Sequence, residues 1–99
     1  MLGGNMMKKL QAMQQKVEET KARLDTIQVF GDAGNGKVKV VMTGNRKIIS
    51  VTISEDFNRM EKEELEDLIL IAANKALDNA EQINESEMRA ASAGMIPGM

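Results

Sequence analysis

From Met6 onward, apolar or near-apolar residues fall at Leu10, Met13, Val17, Thr20, Leu24 and Ile27, with spacings of four and three in strict alternation. This is a heptad seam of the coiled-coil type, and it predicts a long helix from about Asn5 to Thr26 with polar Thr20 as its weak point. Lys9, Lys16 and Arg23 recur seven residues apart on one flank, so a basic stripe runs beside the apolar one. In a parallel self-pair that flank meets Gln14 and Lys21, and in an antiparallel pair it meets itself. Neither arrangement pairs charge favourably, so the seam is expected to pack on the acidic helix at the other end of the chain.

The period then changes. Val29 and Phe30 read as a short first strand, followed by Lys37 to Thr43, a Gly44-Asn45 turn, and Lys47 to Ser54. Val38, Val40 and Met42 share one face, and Ile49, Val51 and Ile53 share another, as a meander with one buried face requires. Lys37, Lys39, Ser50 and Thr52 occupy the opposite, wetter face. Asp56 and Asn58 punctuate the exit from the sheet, and Glu61, Glu63 and Glu64 place negative charge at the first turn of a second long helix. Its apolar side runs through Leu65, Leu68, Ile69, Ala72, Ala76, Leu77, Ala80 and Ile83 and fades towards Met88, the alanines permitting close approach. Ser92 to Met99, with Gly94, Pro97 and Gly98, reads as disordered. The expected fold class is α+β: an α-β-β-β-α subunit in one domain, residues 1–93, with a disordered tail over 94–99.

Lengths constrain how such a subunit can exist. A helix of about 22 residues spans roughly 33 Å, whereas strands of six or seven span only about 20 Å. The helices must overhang, leaving a wet apolar seam and a free sheet edge. A homodimer joined through the sheets, with paired helical arms projecting, buries the most surface.

The 99 residues include only two aromatics, Phe30 and Phe57, and no cysteine or histidine. Disulfides, thiolate metal sites and the commonest proton shuttle are therefore absent, and enzymatic chemistry is not expected: no catalytic residue, cofactor, metal or small-molecule substrate is assigned. Met1 to Lys9 lacks the apolar run of a signal peptide and no segment approaches a membrane span, so a cytoplasmic location is expected. Gly31-Asp32-Ala33-Gly34-Asn35-Gly36-Lys37 imitates a phosphate-binding loop. That loop requires a Ser or Thr after the lysine and a helix whose N-terminus receives the phosphates; here Val38 follows and the pattern is a strand's, which makes this a hairpin-type loop. The net charge of -2 is unevenly placed, residues 1–60 carrying ten Lys and Arg against six acids and residues 61–99 three against nine. The basic part is suited to phosphate, or to neutralising the acidic part.

The order of Val29 and Gly31, Ala33-Gly34-Asn35-Gly36, Val38-Lys39-Val40, Gly44, Val51-Thr52-Ile53, Leu65-Glu66-Asp67-Leu68 and Gly94-Met95-Ile96-Pro97-Gly98 resembles the YbaB/EbfC family of bacterial nucleoid-associated proteins over essentially the whole chain. The resemblance implies a sheet-joined homodimer whose arms engage double-stranded DNA like tweezers, with limited sequence preference, in the nucleoid. One departure is Ser54-Glu55-Asp56-Phe57, where the family has an Asp-Pro before its hydrophobic residue.

Candidate phosphate contacts are Lys8, Lys9, Lys16, Lys21 and Arg23, since DNA affinity without base readout comes mainly from cations. Glu19 can pair with Arg23 and Lys21 with Asp25 at i,i+4, which leaves Lys8, Lys9 and Lys16 free unless Glu85 and Glu87 neutralise them. Gln11, Gln14 and Gln15 read as helix formers, and Lys37, Lys39, Arg46 and Lys47 as edge-protecting cations or a second patch. Met6, Met7 and Met13 read as core, the alternative being an adaptor or holdase whose methionine-bearing arms grip protein. Glu63 and Glu64 read as a solvated first turn.

Overall fold

The computed structural model describes residues 2–54 and 57–93. Helix α1 (Leu2–Thr26) leads into strands β1 (Gln28–Ala33), β2 (Val38–Thr43) and β3 (Ile48–Ile53), then a one-turn 3-10 helix (Phe57–Arg59) and helix α2 (Lys62–Ala93). The strands form an antiparallel meander in the order β1-β2-β3. The subunit is therefore α-β-β-β-α, as the change of hydrophobic period requires. Helix α2 runs through Ser92 to Ala93, so the helix extends further than its fading apolar side predicts. Glu55, Asp56 and the tail at 94–99 lie outside the described residues.

The first strand is longer than Val29-Phe30 alone and includes the first residues of the glycine run, with Gly31 opposite Val40 and Ala33 opposite Val38. Within that run Gly34, Asn35 and Gly36 adopt positive φ, 66°, 54° and 83°, and they make the turn. Strand β2 begins directly after Lys37, so no helix starts from this loop to receive phosphates as a phosphate-binding loop requires.

Helix α2 lies across β1 and β2. A Cβ on Gly31 would overlap the Ala72 carbonyl oxygen and the Ala76 amide nitrogen, so this glycine is what lets helix and strand backbones approach so closely. Ala72, Ala76 and Ala80 face Ala33, Val38, Val40 and Met42 to form the core. Two asparagines pin the helix to the sheet: Asn79 Nδ2 donates to the Phe30 carbonyl at 2.8 Å and Asn84 Nδ2 to the Gly44 carbonyl at 3.0 Å.

Among the described residues no element covers β3. Its inward set pairs with the core strand, Ile53 with Val38 and Val51 with Val40, and a bulge beside Val41 and Met42 places Ile48, not Ile49, opposite Met42. All six residues of β3 are nevertheless exposed, Ile48 at 58% and Val51 at 46%.

The α1 seam differs from expectation. Leu24 is fully buried and Thr20 is 8% exposed, but exposure then climbs through Val17 (36%), Met13 (39%) and Leu10 (53%) to Met6 (62%). Packing on α2 is confined to the base, because the two helices overlap only there: Arg23 lies beside Glu87, and Lys16 and Thr20 lie beside Ala90 and Ala91, close to the end of α2. Among the described residues nothing packs on the first 14 residues of α1, about 21 Å at the helical rise. Thr20 is no weak point, since its hydroxyl donates to the Lys16 carbonyl at 2.7 Å and so enters the helix contact satisfied.

Candidate nucleic-acid interface

Helix α1 owes its direction to its last turns, where carbonyls lack intrahelical partners. Gly44 N donates to Leu24 O at 3.1 Å and to Ile27 O at 3.0 Å, and Asn45 Nδ2 donates to Lys21 O at 2.8 Å. The β2–β3 turn therefore caps a helix some twenty residues earlier in the chain. This base itself carries Lys16, Lys21 and Arg23, and it holds a cantilever that carries Lys8 and Lys9.

Lys8, Lys9, Lys16, Lys21 and Arg23 are all exposed on α1. Arg23 is neutralised by α2, its Nη2 lying 3.4 Å from Glu87 Oε1. The i,i+4 pairs expected along α1 do not form: Glu19 accepts from Gln15 Nε2 at 3.3 Å, and Asp25 Oδ1 accepts from Asn45 Nδ2 at 2.6 Å. Among the described residues Lys8, Lys9, Lys16 and Lys21 make no ion pair. The acids expected to neutralise the first three do not do so, because Glu87 is committed to Arg23 and Lys8 lies about 22 Å further along the helix axis. Lys9 and Lys16 sit on one flank about 10.5 Å apart, and Lys8 sits about 100° around from Lys9. An exposed array of ammonium groups on a helix, none of them ion-paired among the described residues, can neutralise phosphates without reading bases.

The second basic group is partly consumed. Lys37 Nζ is 3.6 Å from Glu64 Oε1, and Lys39 Nζ lies 4.5 Å from the centre of the Phe30 ring on the outer face of the sheet. Arg46, held at a φ of 66°, and Lys47 remain exposed beside the base of α1. Met6, Met7 and Met13 are exposed rather than core, which corrects the expectation for them. Glu64 has a lysine partner, and among the described residues no group of three His, Cys, Asp or Glu is arranged to hold a metal ion. Among those residues, too, no helix is long and apolar enough to cross a membrane.

Asn45 and Asn84 were not candidates from sequence. Gly44-Asn45 signals a turn, but nothing local to it signals contact with α1 or α2. The Phe30–Lys39 contact was legible in principle, since both occupy the outward set of neighbouring strands.

Comparison with known proteins adds to this geometry. A family model described as the YbaB/EbfC DNA-binding family matches residues 2–95. A protein of Flavobacterium johnsoniae named a nucleoid-associated protein is 39% identical over 97 residues, covering 95% of this chain and 91% of the relative. One of Neisseria meningitidis with the same name is 38% identical over 99 residues, covering 97% and 89%. The crystal structure of an uncharacterised Helicobacter pylori protein superposes with a TM-score of 0.73 at 19% identity over 86% of each chain, a likeness of fold alone.

Proposed function

Because the chain belongs to the YbaB/EbfC DNA-binding family, we propose that it is a non-catalytic, nucleoid-associated homodimer of the cytoplasm that holds double-stranded DNA with limited sequence preference. In this reading it contributes to nucleoid organisation and, through it, to gene expression. The observation that carries the reading is the set of exposed cations without an ion-pair partner among the described residues, Lys8, Lys9, Lys16 and Lys21, on a helix whose outer part, with Lys8 and Lys9, extends beyond its contact with α2.

The uncovered strand supports the homodimer. Ile48, Ile49, Val51 and Ile53 are exposed together at a sheet edge, and Leu70 and Ile71 of α2 add 60% and 45% exposed side chains. Exposed apolar side chains along a free sheet edge are costly in water, and an isologous pairing of two copies through β3 would cover them on both at once. Two arms then project from one body, each presenting its lysines. Phosphate attraction supplies affinity on any duplex, which accounts for limited preference.

Measuring binding of the purified protein to duplex DNA, single-stranded DNA and RNA over a range of salt tests the reading. Salt-sensitive binding that favours duplex supports it; absence of duplex binding at low salt contradicts it. A second reading is favoured by the exposed Met6, Leu10, Met13 and Val17, which suit an adaptor or holdase gripping protein. That interaction would be nearly independent of salt.

A further inference from the structure

We propose that Asn45 is the positioning residue that fixes the direction of α1, and that it sets where the arm's lysines stand relative to DNA. The second half of this proposal rests on the DNA-binding reading above; the first half does not.

Helix α1 meets the rest of the subunit along a short stretch near its C-terminal end. Gly44 N grips the terminal turn through Leu24 O and Ile27 O, and a helix held there alone can pivot about that point. The Asn45 amide reaches further up. Its Nδ2 donates to Lys21 O at 2.8 Å and to Asp25 Oδ1 at 2.6 Å, so both amide hydrogens are spent on α1. Lys21 O lies one turn before Leu24 O, about 4.5 Å along the axis. These two turn-side grips, separated along the axis, add to the contact of Thr20 and Arg23 with α2 in resisting tilt.

The grip is itself held in place. Thr43 Oγ1 accepts from Asn45 N at 3.1 Å and from Lys47 N at 3.3 Å, and Arg46 N donates to Thr43 O at 3.0 Å, so the turn is rigid on the sheet. Asn84 of α2 secures the same turn through Gly44 O at 3.0 Å. A continuous path therefore runs from α2 through Asn84, Gly44 and Asn45 to Lys21 and Asp25 of α1. Leverage makes it matter: Lys8 is about 24 Å from Leu24 along the axis, and a tilt of about 10° moves it by about 4 Å, more than a hydrogen bond tolerates.

The absence of native cysteine allows a clean test. Cysteines introduced at Gln11 on α1 and Glu81 on α2 carry spin labels, and labelled chain diluted in excess unlabelled chain reports the distance within one subunit. A narrow distribution is expected with Asn45 present. Asn45→Ala should widen it by about 3 Å or more and weaken duplex binding about threefold to tenfold through lost preorganisation, with unchanged far-ultraviolet circular dichroism. Asp25→Ala, which removes one acceptor, should widen it less, and Asp25→Asn, which keeps an acceptor oxygen, should restore it. An unchanged distribution in Asn45→Ala overturns the proposal. If that variant unfolds, equal widths for Asp25→Ala and Asp25→Asn overturn it instead. A widened distribution with undiminished duplex affinity supports Asn45 as the holder of the arm and overturns its link to DNA, and the assignment of α1 as the contact surface falls with that link.

Discussion

Gly31 shows how far a single residue determines the subunit. The period-two pattern places Val38, Val40 and Met42 inward without difficulty, because alternation and burial are the same signal in a half-buried strand. It does not show that β1 runs through Gly31, because glycine has no side chain to alternate. The requirement is visible only with α2 in place. Gly31→Ala should destabilise the fold by about 2 kcal/mol or more, as helix and sheet are forced apart. Urea unfolding checks this; a midpoint equal to that of the parent would show that α2 sits further from β1 than described. The Ile48 register was illegible for a related reason: a bulge shifts which isoleucine opposes Met42, and two adjacent isoleucines satisfy either register.

Among the elements, α1 departs furthest from its sequence pattern. A heptad seam specifies that an apolar stripe exists but not what covers it, and the base of this stripe is buried while its outer part is bare. The basic stripe was legible from its period, whereas the fate of each cation was not. Arg23 lost its freedom to Glu87, a residue 64 positions away, while the neighbours expected to pair along α1 found other partners. Amide hydrogen exchange should reflect this division. Residues before Lys16 should exchange faster than those from Lys16 to Thr26, and on adding duplex DNA the outer segment should slow more than the base. Uniform protection along the free helix would mean that the outer seam is covered in solution.

For the whole molecule, one subunit offers a small core of alanines and valines beside a strand that is exposed along its length. Light scattering should therefore give twice the subunit mass at micromolar concentration, and a stable monomer would remove the basis for paired arms. Val51→Lys should weaken assembly and stability together, since charge would enter an apolar surface that the proposed dimer would bury; sedimentation at several concentrations reads both effects. The central claim is that the α1 lysines bind DNA by neutralising phosphates, and the most direct measurement is the salt dependence of duplex affinity for the parent and for Lys8→Gln/Lys9→Gln/Lys16→Gln. Glutamine keeps helix propensity nearly constant, so the fold should persist. If each lysine meets one phosphate, the slope of log affinity against log salt should shrink by about 0.9 per contact, or roughly 2.7 for the three, on every duplex sequence alike. An unchanged slope and affinity in a folded triple variant would contradict the account and move the contacts to Arg46, Lys47 and the sheet.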